Sequence, residues 1–160
     1  MTPPKKFILK DIGVLVILFT IVHLPSCASK ESSEISEGKV YIIDVESKPN
    51  ANLGSPIAVD IVSLYDDQFV NTLESIPASG WFIKKNEYKD KLKDKIYIFA
   101  REFIPGEQVQ VEYTTEIEKD PITNFIFANY NTPGEHRVRV DEFKTLRIIL
   151  EEAEFSVGNK

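Results

Sequence analysis

From about residue 39 onward, apolar and polar side chains alternate with a period of two, the repeat of a strand with one face buried. Tyr41, Ile43 and Val45 mark a first strand. Ile57, Val59 and Ile61 mark a second, whose other face (Ala58, Val62, Leu64) is also mostly apolar, as in a strand covered on both sides. Tyr97, Phe99 and Phe103 share a parity that Arg101 interrupts. Val109, Val111 and Tyr113 alternate with Gln108, Gln110 and Glu112, and Phe125 to Tyr130 is a short aromatic-rich run. Val138 and Val140 alternate with Arg137 and Arg139, followed by Leu146, Ile148 and Leu150, then Phe155 and Val157. Seven or eight short strands separated by turn residues predict an all-β fold, a sandwich or small barrel, and the polar outward faces predict antiparallel pairing.

The period changes once, between the second and third strands. Phe69, Leu73 and Ile76 follow Asp66 and Asp67, which suit the start of a short helix, and Pro77 with Gly80 is expected to end it. Trp81, Tyr88 and Leu92 then recur at helical spacing in a Lys-rich stretch. This helical insertion is expected to cover one end or face of the sandwich. Trp81 reads first as a residue buried beneath it and second as an anchor for a partner. Ile104-Pro105-Gly106-Glu107 and Thr132-Pro133-Gly134-Glu135 each predict a type II turn, with proline at the second position and glycine at the third.

The first 26 residues follow a different logic. Lys5, Lys6 and Lys10 precede an apolar run from Gly13 to Leu24, too short to span a hydrocarbon core of roughly 30 Å, and the run ends in Leu24-Pro25-Ser26-Cys27. This order resembles a bacterial lipoprotein signal, with Pro25 where a small residue is usual. The resemblance implies removal of residues 1–26 and lipidation of Cys27. Ala28 rather than Asp after the cysteine implies the periplasmic face of the outer membrane. Residues 28–38 (ASKESSEISEG) hold too little apolar surface to offset chain entropy and read as a flexible acidic tether, leaving 39–160 as the folded domain.

Charge and chemistry then narrow the function. The chain carries 19 Lys plus Arg against 25 Asp plus Glu; three of those lysines and one aspartate precede Cys27, so the processed protein has 16 basic and 24 acidic residues. Such a balance argues against a nucleic-acid surface. One cysteine and two histidines supply neither a disulfide nor a four-ligand thiolate or imidazole zinc cage. No GxSxG, HExxH, P-loop or GxGxxG spacing occurs, and His136 stands outside any nucleophile motif. The expectation is a non-catalytic protein with no cofactor beyond the lipid on Cys27.

The run Asn52-Leu53-Gly54-Ser55-Pro56-Ile57-Ala58-Val59-Asp60-Ile61-Val62-Ser63-Leu64, the Pro105-Gly106 turn and Phe125-Ile126-Phe127-Ala128-Asn129-Tyr130 together resemble the TssJ family, the outer-membrane lipoproteins of type VI secretion systems. His136-Arg137 stands where that family has Trp-Arg, and the Lys-rich stretch from Trp81 to Lys95 has no counterpart in the resemblance. What the resemblance implies is a two-layer, transthyretin-like sandwich that docks the periplasmic domain of an inner-membrane TssM-like protein. The contact would run through the loop between the first two strands: Lys48, Pro49, Asn50, Ala51, Asn52, Leu53 and Gly54. Read on its own, that loop has backbone-shaping Pro49 and Gly54, donors and acceptors on Asn50 and Asn52, and one exposed-looking apolar side chain, Leu53. It also suits an ordinary connection between strands. Two other roles fit a small exported lipoprotein: a pilotin or accessory subunit of another outer-membrane complex, and an inhibitor or ligand-binding module.

Overall fold

The computed structural model describes residues 39–159 apart from 116 and 118; the signal, Cys27 and the tether lie outside the described residues. Eight strands and two helices run in the order β1 (Lys39–Ser47), β2 (Ile57–Leu64), α1 (Val70–Glu74), α2 (Ala78–Leu92), β3 (Ile96–Phe103), β4 (Gln108–Thr115), β5 (Thr123–Ala128), β6 (Arg137–Val140), β7 (Thr145–Leu150) and β8 (Phe155–Asn159). They form two four-stranded sheets, ordered β4-β1-β7-β8 and β3-β2-β5-β6.

The alternation read from the sequence is the packing pattern of these sheets. Tyr41, Ile43 and Val45 of β1, Val111 and Tyr113 of β4, and Leu146, Ile148 and Leu150 of β7 face Ile57, Val59 and Ile61 of β2, Phe103 of β3, and Ile126 and Ala128 of β5 in one core. On β4 and β7 the polar residues between them, Gln110, Glu112 and Arg147, are exposed. β2 and β5 are covered on both faces: Val62, Leu64, Phe125 and Phe127 point away from the first core into a second one, closed by Leu73, Ala78, Trp81 and Leu92.

One pairing departs from the antiparallel expectation. β1 runs antiparallel to β4 but parallel to β7, with Ile43 opposite Leu146 and Val45 opposite Ile148. Period-two alternation records which face of a strand is buried, not the direction of its neighbour, so the sheet is mixed.

Asp66 starts the helical insertion by accepting a hydrogen bond from the Gln68 N–H (3.0 Å), as a cap requires. Gly80 does not end a helix. Pro77, with extended backbone, precedes α2, and Gly80 lies within the first turn, where a Cβ would come 3.0 Å from Ile76 Cγ2. The glycine admits close approach of the preceding segment. Trp81 is fully buried, stacked on Phe127 with 4.9 Å between ring centroids, and Tyr88 stacks at 5.9 Å. No ring surface is left for a partner, which corrects the anchor reading of Trp81 and makes the indole the centre of the second core.

The two proline-glycine segments also differ. Gly106 has φ +84 and the Glu107 N–H reaches the Ile104 carbonyl at 3.1 Å, as in a type II turn. Gly134 does not take positive φ; His136, at φ +42, is the left-handed residue there. Its imidazole stacks on Tyr130 (4.7 Å) and lies over Gly134, where a Cβ would come within 2.7 Å of the ring. Gly134 is therefore required for space rather than for φ.

All four connections that leave an odd-numbered strand for the next even one, other than through the helices, gather at one end of the sandwich: 48–56, 104–107, 129–136 and 151–154. The Gly106 N–H bonds the Ser47 carbonyl (3.0 Å), and the Asn129 N–H bonds the Ala58 carbonyl (2.8 Å). Lys39, where the chain enters β1, lies at the opposite end. The nine residues of β1 separate the two by about 30 Å.

Candidate functional site

The loop between β1 and β2 turns at once: the Lys48 N–H bonds the Leu150 carbonyl (2.8 Å), and the Ala51 N–H returns to the Lys48 carbonyl (2.9 Å). Ala51 is buried, which draws the chain down into the end of the sandwich. Then come three successive residues of left-handed backbone: Asn52 (φ 48), Leu53 (φ 57) and Gly54 (φ 79). Glycine adopts this freely and asparagine tolerates it, but leucine pays about 1–2 kcal/mol for the crowding of its Cβ. The chain then straightens into Ser55 and Pro56.

Asn52 makes this shape possible. It is only 1% exposed, and its groups are all in use. Its N–H donates to the Glu151 carbonyl (3.0 Å), its Nδ2 donates to the Pro56 carbonyl (3.0 Å), and its Oδ1 accepts the Asn131 N–H (2.6 Å). Side chain and backbone N–H together thus tie the loop to both neighbouring connections, the side chain to Asn131 and the N–H to Glu151. Asn50 adds an exposed link through Nδ2 to Glu152 Oε2 (2.9 Å). Lys48 turns back to Glu46, which Arg147 also contacts (2.9 Å); these two cations hold the Glu46 carboxyl below its usual range.

Behind the loop stands Tyr130. Its hydroxyl donates to the Glu154 carbonyl (2.6 Å) and accepts the Glu151 N–H (3.2 Å), so it holds the β7–β8 turn that in turn holds Asn52. Burial, opposed by the bond from Glu151, pushes the Tyr130 phenol up to about 12.

The result is a hydrogen-bonded end from which two large apolar side chains project. Leu53 is 60% exposed, between exposed Pro49, Asn50 and Gly54, with Ile104 (58%) on the neighbouring turn.

No family model and no curated protein matches the sequence. Solved structures do match the fold. The type VI secretion lipoprotein TssJ1 of Pseudomonas aeruginosa superposes with a TM-score of 0.59 at 14% identity, over 77% of this chain and 97% of that one. Serratia marcescens Lip, a membrane-bound component of the type VI secretion system, gives 0.56 at 11% identity, over 77% and 98%. A chain of the structure described as the C-terminal domain of the type VI protein TssM from EAEC gives 0.56 at 16%, over 76% and 99%. The chain has the TssJ fold. Because these relatives are covered almost end to end, the likeness includes both sheets and not one shared motif.

Within the TssJ-like frame, the seven loop residues expected to meet a partner divide into two groups. Pro49, Asn50, Leu53 and Gly54 face solvent and Lys48 is half-buried, whereas Ala51 and Asn52 are interior. The expectation that Asn52 offers its amide to a partner is corrected: that amide is consumed holding the loop. The sequence reading did not pick out Tyr130, Asn131 and Glu151 as supports. Tyr130 closing an apolar run was the one available signal; the other two act through backbone groups, which carry no side-chain signature. Among the described residues, no group of three or more His, Cys, Asp or Glu is placed to hold a metal.

Proposed function

We propose that this chain is the outer-membrane lipoprotein subunit of a type VI secretion membrane complex. It is held to the periplasmic face by lipid on Cys27 and docks, without catalysis, the periplasmic domain of a TssM-like inner-membrane subunit. The likeness to TssJ1 and Lip over nearly their whole length supports the choice of machine, and the structure of the TssM C-terminal domain among the similar folds supports the choice of partner. The observation that carries the docking reading is Leu53: an apolar side chain, 60% exposed, on strained backbone, at the end of the sandwich opposite Lys39. Strain and exposure of this kind destabilise the free protein and persist where function uses them. Lys39, the first described residue, lies at the other end of β1, which leaves the Leu53 end free to meet an inner-membrane partner.

The test is co-purification of the processed domain with the periplasmic domain of a TssM-like protein from the same organism. Leu53→Asp should abolish binding while leaving the melting temperature within a degree or two. Binding at wild-type strength removes the loop from the interface, and a wild-type domain that captures no TssM-like domain removes the partner.

A further inference from the structure

We infer that Asn52 is a positioning residue of the docking loop, setting the geometry in which Leu53 is presented before any partner arrives. The inference rests on the docking reading above.

Leu53 cannot hold its own conformation. Its side chain is mostly in solvent, and its left-handed backbone is one that a β-carbon disfavours. The residue before it has the opposite character: Asn52 is buried in a loop of largely exposed neighbours and bonds three separate stretches of chain. Through Oδ1 it fixes the β5–β6 connection at Asn131, through its N–H the β7–β8 turn at Glu151, and through Nδ2 the exit of its own loop at Pro56. Its carbonyl accepts the Ser55 N–H (3.1 Å), so the bonds of Asn52 bracket Leu53 on both sides.

None of these bonds enters the sheet core. The strands on either side are already fixed by their ladders, from Glu46 opposite Gln108 and from Ile57 opposite Phe103. What Asn52 adds is the shape of the tip. A tip ordered in the free protein loses little conformational freedom on docking, so the affinity gained through Leu53 depends on a residue that the partner does not touch.

The experiment compares four variants of the processed domain, Asn52→Gly, Asn52→Asp, Leu53→Asp and Leu146→Ala. Each is measured for amide hydrogen exchange over residues 52–55, melting temperature and Kd for the periplasmic TssM-like domain. Asn52→Gly keeps access to left-handed backbone and removes the side-chain bonds; it should speed exchange at the tip and weaken binding about tenfold, with Leu53 intact. Asn52→Asp keeps the acceptor for Asn131 and loses the donor to Pro56, so it should fall between Asn52→Gly and wild type. Leu146→Ala, a cavity in the core, should lower the melting temperature at least as much yet bind as wild type, separating positioning from general stability. Wild-type Kd in Asn52→Gly, or unchanged exchange at its tip, overturns the inference while leaving docking through Leu53 standing. Wild-type Kd in Leu53→Asp overturns the docking reading and this inference with it.

Discussion

The indole Nε1 of Trp81 donates a hydrogen bond to Asp60 Oδ2 at 2.9 Å, beneath helix α2 and out of contact with solvent. Asp60 is an acidic residue on a strand buried on both faces, and it is tolerated there because two donors converge on one oxygen; Lys85 Nζ is the second, at 3.1 Å. All three groups link α2 to β2, so the helix is held in one register on the sheet by a polar clamp within an otherwise aromatic and aliphatic core.

This clamp should be costly to open from either side. Trp81→Phe keeps ring packing and removes the donor, and we expect a loss of about 1–3 kcal/mol. Asp60→Ala leaves the indole N–H and part of Lys85 without a partner in the interior, with a similar loss, whereas Asp60→Asn keeps the acceptor and should lose less. Denaturant unfolding of the three variants checks the order. A double variant as unstable as the sum of its singles would show that the two groups act independently and that the clamp is no unit.

Much of this architecture is visible in the alternation of residues, because a sandwich strand must place one face in the core and the other in water. β1, β2, β4 and β7 could be read that way, and so could the double burial of β2, since Val62 and Leu64 have no reason to be apolar on a wet face. The parallel pairing of β1 with β7 was hidden, because alternation says nothing about a neighbour's direction. The β1–β2 loop was legible as a segment but not in its parts. An asparagine in a turn reads as a surface group, and only tertiary structure shows that Asn52 faces inward while Leu53 faces out.

Gly106 and Gly134 give a second prediction, since they fill similar Pro-Gly positions for different reasons. At Gly106 nothing lies within 4 Å of a built Cβ, but φ is +84, so Gly106→Ala should cost about 1–2 kcal/mol through backbone conformation alone. At Gly134 the backbone is permissive and the space is not: a Cβ would meet the His136 imidazole at 2.7 Å. Gly134→Ala should therefore cost about 1–3 kcal/mol by pushing His136 off Tyr130, and should cost almost nothing in a His136→Ala background. Thermal melts of the four proteins form the cycle, and a Gly134→Ala loss that survives His136→Ala would refute the steric account.

Alkaline pH should act on the same end of the molecule. The Tyr130 phenol is raised to about 12, chiefly by burial, and Tyr41, Tyr65 and Tyr113 are raised in the same direction. An unfolded tyrosine titrates near 10. Below that pH both states keep the proton and the contribution of these groups is intact; between about 10 and 12 the unfolded chain releases protons that the native state holds, so stability falls as pH rises. Denaturant midpoints should decline from about pH 10 upward. Tyr130→Phe should start about 1 kcal/mol lower at neutral pH, from the lost bonds to Glu151 and Glu154, and then decline less steeply. An alkaline slope identical to wild type would mean that Tyr130 does not contribute to it.

Under the proposed function, the length of residues 28–38 limits how far the β1–β2 loop can reach. Residues 28–38 read as coil with a typical span of roughly 20 Å, and β1 carries the chain about 30 Å further to Leu53. With Cys27 lipidated as proposed, tether length should matter to assembly as much as the loop does. Wild-type protein should incorporate labelled palmitate and fractionate with the outer membrane, and Cys27→Ser should do neither, because no other feature of the sequence supplies an acyl anchor. Deleting residues 29–36 should leave labelling and fractionation intact while reducing co-purification with the inner-membrane partner from cells, although the same proteins mixed in detergent should bind at full strength. Outer-membrane fractionation of Cys27→Ser, with no label in the wild type, would overturn the anchor. Undiminished assembly of the shortened tether in cells would show that reach is not limiting.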